Sequence, residues 1–325
     1  MPAMLATGNT VAQSQGAQGM RKNFTAAAVV AVALLAGGMA ASRPASASAA
    51  LPGAIRAAVT VDETVSYGSD PMQTLDAYID EAKSGAPWVM VVHGGSWMGG
   101  SRTLMGDAVN GLRAAGFQVF SVDYRLSGKV GWPAQRDDVG AALRFVKANA
   151  AQFGIDPDRG ALYGHSAGGQ IAASAGVYGA GSTRTRAVVS VSGVLQPLRV
   201  WQYAHDVETP DGYAVSNTIR YLSDWEAVLF RGPPRPDFPD VYGRWRDGTP
   251  QTMVSDDDAP FLIVHSEDDV ASPFAGAAGF AYYLNKAGGS ATVVPVPGDV
   301  HSDSIVWDNP AMAKRVTDFL KAKTQ

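Results

Sequence analysis

Along the chain, short apolar runs and longer stretches of helical period take turns. "VTVDETVSY" (59–67) and "LDAYID" (75–80) alternate apolar and polar residues, which predicts half-buried strands, with a turn at Asp70-Pro71 between them. "WVMVVHGG" (88–95) is a continuous apolar run ending in glycines, as expected of a strand buried on both faces. A helix-like stretch runs to Ala115, Gly116 breaks it, and "FQVFSVDY" (117–124) predicts the next strand. In "PAQRDDVGAALRFVKANAAQFG" Val139, Leu143 and Val146 fall at helical spacing. Pro133 suits the first turn and Gly154 the stop.

"GALYGH" (160–165), "AVVSVSG" (187–193), "PFLIVHS" (260–266) and "ATVVPVP" (291–297) predict four further strands. Helices are expected at about 275–287 and 309–322. Repeated β-α alternation implies an α/β fold: a mostly parallel central sheet with helices on both faces. One stretch breaks the rhythm. Residues 194–258 hold three tryptophans, Trp201, Trp225 and Trp245, and the proline-rich "RGPPRPDFPD". So long a connection predicts an inserted cap or lid within a single domain spanning 50–325. The tryptophans either fill the core of that cap or line an aromatic site, and packing is the commoner use of buried aromatics.

Composition narrows the function. The chain has 325 residues, a formal charge of −4 and no strongly basic run, which argues against nucleic acid as a partner. The first 49 residues form a separate unit. Arg21-Lys22 precedes an apolar run from Phe24 to Ala41, followed by "SRPASASAA" with small residues at A-x-A spacing. This succession predicts an export signal cleaved after Ala47 or Ala49, with Met20 an alternative start to Met1. The apolar run is short for a bilayer crossing, so no membrane span is expected once it is removed. Its removal takes away Arg21, Lys22 and Arg43 and no acid, leaving the remainder more acidic. With no cysteine, neither a disulfide framework nor thiol chemistry is available.

The candidate chemistry begins at "ALYGHSAGGQIAAS" (161–174). Gly164-x-Ser166-x-Gly168 lies between a predicted strand and a helix-like run, the setting of a nucleophile elbow. With 36 glycines in the chain that pattern alone is weak, and a serine hydroxyl needs a base and an orienting acid before it is nucleophilic. Five histidines are available. His165 is confined beside Ser166, His205 lies in the insertion, and His265 ends a predicted strand. His93 is expected to hold its loop by hydrogen bonding. His301, in the loop "VPGDVHSDS" after the last strand, is the expected base. The acid should come from the loop after "FLIVHS", where Glu267, Asp268 and Asp269 all stand.

Four blocks in order, "HGGSW" (93–97), "GHSAGG" (164–169), "LIVHSEDDVASP" (262–273) and "PGDVHS" (297–302), resemble an α/β-hydrolase of the carboxylesterase group, hormone-sensitive-lipase-like and kynurenine-formamidase-like. The resemblance covers about 70–320. It implies the triad Ser166, Asp269 and His301, with Asp269 preferred over Asp268 because the family's acid block reads His-Gly-x-x-Asp-x-x-Val-Pro. This chain departs from that block in having Ser266 for glycine and Ser272 for valine. The resemblance also implies an oxyanion hole from the N–H groups of Gly95, Ser96 and Ala167, in the His-Gly-Gly-x-Trp form. The expected function is a secreted serine hydrolase of small carboxylic esters acting through an acyl-enzyme, with no metal or organic cofactor. A formamidase-type amide hydrolase, a polysaccharide acetyl or feruloyl esterase, and a non-catalytic hydrolase-fold binding protein are the alternatives. Oligomeric state is not legible.

Overall fold

The computed structural model describes residues 62–205 and 217–325, so the export-signal expectation and residues 59–61 of the first expected strand lie outside the described residues. Eight strands form one sheet: β1 (Glu63–Ser66), β2 (Thr74–Tyr78), β3 (Ala86–Val92), β4 (Gln118–Val122), β5 (Ile155–His165), β6 (Ala187–Val191), β7 (Phe261–Ser266) and β8 (Ala291–Val296). Their spatial order is β1-β2-β4-β3-β5-β6-β7-β8. β2 runs antiparallel to both β1 and β4, and every pairing from β4 to β8 is parallel. The middle strands β3, β4, β6 and β7 are almost wholly buried, which explains why they read as mostly apolar runs.

Strand alternation divides the core in two. Trp88, Met90 and Val92 of β3 enter one apolar cluster, while Val89 and Val91 enter the other. The first cluster is closed by α2 (Ala134–Ala148), through Val139, Leu143 and Val146, by α3 (Ala167–Tyr178) and by α7 (Phe274–Lys286). The second is closed by α1 (Gly106–Ala114), the short α8 (Ser304–Trp307) and α9 (Pro310–Thr324). Each fully buried Val or Leu on these faces contributes roughly 1.5–3 kcal/mol.

One boundary differs from expectation. α2 stops at Ala148, well before Gly154, because Gly154 serves the next strand. At φ +60° it carries the chain into β5, and its carbonyl accepts Ala86 N–H at 3.0 Å. Among the described residues of the stretch 194–258, three α-helices occur: α4 (Pro197–His205), α5 (Asn217–Phe230) and α6 (Pro239–Asp247). Trp245 is fully buried there, with its ring centroid 4.4 Å from that of Phe230 and 6.0 Å from that of Trp201. Its indole donates to the Gly232 carbonyl, so this tryptophan packs. Among the described residues, no helix is long and apolar enough to cross a membrane.

α3 has the feature that matters most for the site. All of "AGGQIAASAGV" is buried, and its small side chains let helix and sheet backbones approach closely. A Cβ on Gly164 would lie 2.2 Å from the Gly168 carbonyl oxygen. One on Gly168 would lie 2.2 Å from that of Val92 and 2.4 Å from that of His93. Only glycine fits at either place.

Candidate active site

In a parallel sheet, chemistry collects at the carboxyl ends of the strands, where successive loops emerge on one edge. Here those loops follow β3, β5, β7 and β8. After β5 the chain turns sharply at Ser166, held at φ 54° and ψ −121°. That strain for a non-glycine residue is secured by its N–H donating to Val191 O at 2.9 Å and by its carbonyl accepting from Gln170 N–H at 3.1 Å. The turn lifts the hydroxyl off the sheet edge at the start of α3.

His301 and Asp269 meet Ser166 there. Ser166 Oγ lies 2.8 Å from His301 Nε2, and His301 Nδ1 lies 2.7 Å from Asp269 Oδ2. A carboxylate can only accept, so Nδ1 carries the proton and Nε2 accepts from the serine hydroxyl. The Asp269 side chain is fully buried, whereas that of His301 is 24% exposed, so the histidine is open to solvent and the carboxylate is not. The other oxygen of Asp269 accepts the N–H groups of Ala271 (2.8 Å) and Ser272 (2.9 Å), which fixes the orientation of the carboxylate. Asp268 and Glu267, one residue and two residues away, are exposed.

The two departures from the family's acid block have visible work. Ser266 Oγ donates to Val300 O at 2.7 Å, joining the acid loop to the loop of the base. Ser272 Oγ donates to Gly193 O at 2.9 Å. His265, which the sequence marked only as the end of a strand, stands against the acid. It is fully buried, its Nε2–H donates to Ser272 O at 2.6 Å, and the same nitrogen is 3.5 Å from Asp269 Oδ2. Burial keeps its imidazole below the usual histidine range, so it remains a neutral donor. Its spacing of four from Asp269 was the available signal. His165 packs 5.5 Å from the His301 ring, and burial, aided by His301, pushes it down to about 3.

The loop after β3 closes the other side. A Cβ on Gly94 would lie 3.0 Å from Ser166 Cβ, so this backbone passes directly by the serine. Gly95 has φ +119°, and a Cβ there would meet Gly99 O at 2.3 Å. Ser96 and Trp97 follow at φ 52° and 59°. Ala167 opens α3, so its N–H has no carbonyl partner within the helix. His93 holds the loop's entry. Its Nδ1–H donates to Gly94 O at 2.7 Å, its ring stacks on Tyr124 at 4.3 Å, and Tyr124 OH donates to His93 O at 3.1 Å. The loop's exit is anchored by Arg102, which pairs with Asp76 at 2.8 Å and with Asp123. Among the described residues, no group of three or more His, Cys, Asp or Glu side chains is arranged to hold a metal ion.

The overall fold is similar to those of solved structures. The structure aligns with a carbohydrate esterase from gut microbiota at a TM-score of 0.67 and 27% identity, covering 82% of this chain and 98% of that one. The chain has the α/β-hydrolase fold and is similar to carboxylesterase- and lipase-like proteins. The fold is also that of EstE1, a thermostable carboxylesterase from a metagenomic library (TM-score 0.62, 24% identity, 82% of this chain and 89% of that one). The BD-FAE family profile matches residues 75–199 of this α/β-hydrolase, and that of the TAP-like proteins matches 243–324. Esterase LipC of Mycobacterium tuberculosis is 32% identical over 252 residues, which cover 73% of this chain and 58% of LipC. The chain spans about half the length of the curated relatives it matches.

Proposed function

We propose that this α/β-hydrolase is an exported serine esterase that cleaves carboxylic esters through an acyl-enzyme. The observation that supports it is the continuous hydrogen-bond chain from Ser166 Oγ through His301 to Asp269, at 2.8 and 2.7 Å. In this reading His301 takes the proton as Ser166 attacks the ester carbonyl, and Asp269 stabilises the imidazolium that forms. The N–H groups of Gly95, Ser96 and Ala167 receive the oxyanion of the tetrahedral intermediate, where one aligned donor is worth roughly 3–4 kcal/mol. Collapse expels the alcohol with a proton returned by His301. Water, activated by the same imidazole, then releases the acid.

Wild type should hydrolyse a short-chain chromogenic ester and be silenced by a serine-directed phosphonate. Ser166→Ala, folded to the same melting temperature, should lose the activity. Equal turnover by both proteins would remove Ser166 from the chemistry, and no turnover by either would favour a binding role.

A second reading of the substrate is an ester carried on a carbohydrate, favoured by the similarity to the gut carbohydrate esterase along nearly all of that chain. Acetylated xylan and a feruloyl ester, run beside the chromogenic esters and a formanilide, separate the readings by kcat/KM. Export rests on the charged, apolar and small-residue succession at 21–49. N-terminal sequencing from the native host should find a start at residue 48 or 50, and an intact Met1 or Met20 on a cytoplasmic protein would remove that part.

A further inference from the structure

Two consecutive non-glycine residues, Ser96 and Trp97, sit in the left-handed region at φ 52° and 59°. Each costs roughly 1–2 kcal/mol relative to ordinary backbone, and such strain persists only where the surroundings over-determine it. Ser96 needs that conformation, because its N–H is one of the proposed oxyanion donors. The restraint acts on Trp97. Its carbonyl accepts Ser127 N–H at 2.8 Å, its ring is buried, and its indole Nε1–H donates to Gln170 Oε1 at 2.9 Å.

Gln170 is fully buried on α3, one turn beyond the nucleophile. Its amide is used at both ends. Oε1 receives the Trp97 indole, and Nε2 donates to Gly248 O at 2.7 Å and to Ser174 Oγ at 3.2 Å. Gly248 is the residue that ends α6. The preceding Asp247 is itself clamped, accepting from Trp132 Nε1 (2.6 Å), Arg136 (2.8 Å) and the Tyr178 hydroxyl. One side chain therefore spans three bodies: the helix that carries Ser166 and Ala167, the strained loop that carries Gly95 and Ser96, and the end of α6.

We infer that Gln170 is a positioning residue, which holds the left-handed Ser96-Trp97 backbone at the distance from Ser166 that oxyanion binding requires and ties that wall to α6. The inference rests on the serine-esterase reading above. Gln170 touches neither substrate nor reacting atoms. Its effect is confined to the transition state, because the donors it places bind the oxyanion and make little contact with the ground-state ester.

The test compares wild type with Gln170→Met, Trp97→Phe, their double variant and Ser174→Ala on p-nitrophenyl acetate. Melting temperature and affinity for a trifluoromethyl ketone, which adds to the serine as a tetrahedral oxyanion, are measured alongside. Gln170→Met should lower kcat roughly 10- to 100-fold, the scale of a small misplacement at a catalytic centre. KM should stay within about threefold, and ketone affinity should fall in step with kcat/KM. Trp97→Phe keeps a buried ring but loses the donor, so it should act in the same direction. The double variant should resemble Gln170→Met alone, since both remove one interaction. Ser174→Ala should stay within about twofold of wild-type kcat.

A Gln170→Met enzyme with a lower melting temperature but unchanged kcat and ketone affinity would reduce Gln170 to a packing role and overturn the inference. So would a rise in KM alone. If Gln170→Met does not fold, Trp97→Phe decides on the same criteria. An active wild type with insensitive variants defeats this inference only, whereas a wild type inert on every ester removes the esterase reading and this inference with it.

Discussion

At the scale of single residues, Asp268 and Asp269 are the sharpest pair. They share charge and size and differ by one position, yet Asp269 is buried with every oxygen used, while Asp268 is exposed. Asp269→Asn should lower kcat by roughly 10⁴, because an amide donor in place of the acceptor favours the wrong imidazole tautomer. Asp268→Asn should cost less than about threefold, since an exposed charge acts only through a screened field. Both are measured with a short-chain ester after melting temperatures have been matched. A crippled Asp268→Asn would show that the acid assignment is off by one residue. The sequence narrowed the acid to three neighbours, and the family resemblance chose among them. What only the fold supplied is the long-range part of the shell around it: Ser266 reaches Val300 and Ser272 reaches Gly193, contacts between distant loops that no spacing rule encodes.

At the scale of elements, the close contact between α3 and the sheet sets where the nucleophile stands. Gly168→Ala would drive a methyl group to 2.2 Å from Val92 O and 2.4 Å from His93 O, both backbone atoms that cannot turn aside. The expected result is overpacking, with a loss of roughly 1–3 kcal/mol read from the urea midpoint, and a displaced β3 loop. Activity should fall further than stability predicts, because the same loop carries Gly95 and Ser96. Gly106→Ala, at the start of α1 where a Cβ meets nothing within 4 Å, is the control and should leave both unchanged. Wild-type activity in Gly168→Ala would mean that the loop can retreat without cost. Most element types were legible because central strands of a parallel sheet are mostly apolar. Their ends were less so: Gly154 marks a stop in the sequence, whereas the fold uses it to enter β5.

At the scale of the whole molecule, buried neutral histidines link stability to pH. The folded-state value of His165 is about 3, against roughly 6.5 unfolded, because burial and neighbouring His301 disfavour the imidazolium. Between those values the unfolded chain binds more protons than the folded one. Stability contributed by His165 is therefore intact above about pH 6.5 and lost as pH falls toward 3. His93 and His265 are shifted down by burial too and add in the same sense. A buried and a half-buried acid act oppositely. Glu226 and Asp303 are raised by burial, so they stabilise at low pH and lose that contribution as pH rises. The discriminating measurement is a difference: His165→Gln should lose less unfolding free energy than wild type between pH 7 and 4. Parallel profiles for the two proteins would show that His165 is charged or exposed in solution.

By itself the sequence determined which stretches are apolar and with what period, and hence the α/β layering and the order of strands along the chain. It also determined the chemistry on offer, because a serine between glycines, a late loop histidine and an acidic loop are residue types that need no coordinates to recognise. Tertiary structure decided which of these meet. β5, β7 and β8 deliver Ser166, Asp269 and His301 to one sheet edge although 135 residues separate the serine from the histidine. It also decided that a glutamine in an otherwise small-residue helix braces a strained loop and the end of α6. Local patterns report burial, which each residue's own chemistry dictates. Hydrogen bonds between distant side chains depend on where the packed backbones finally lie, within a few tenths of an ångström, and only the folded chain sets that.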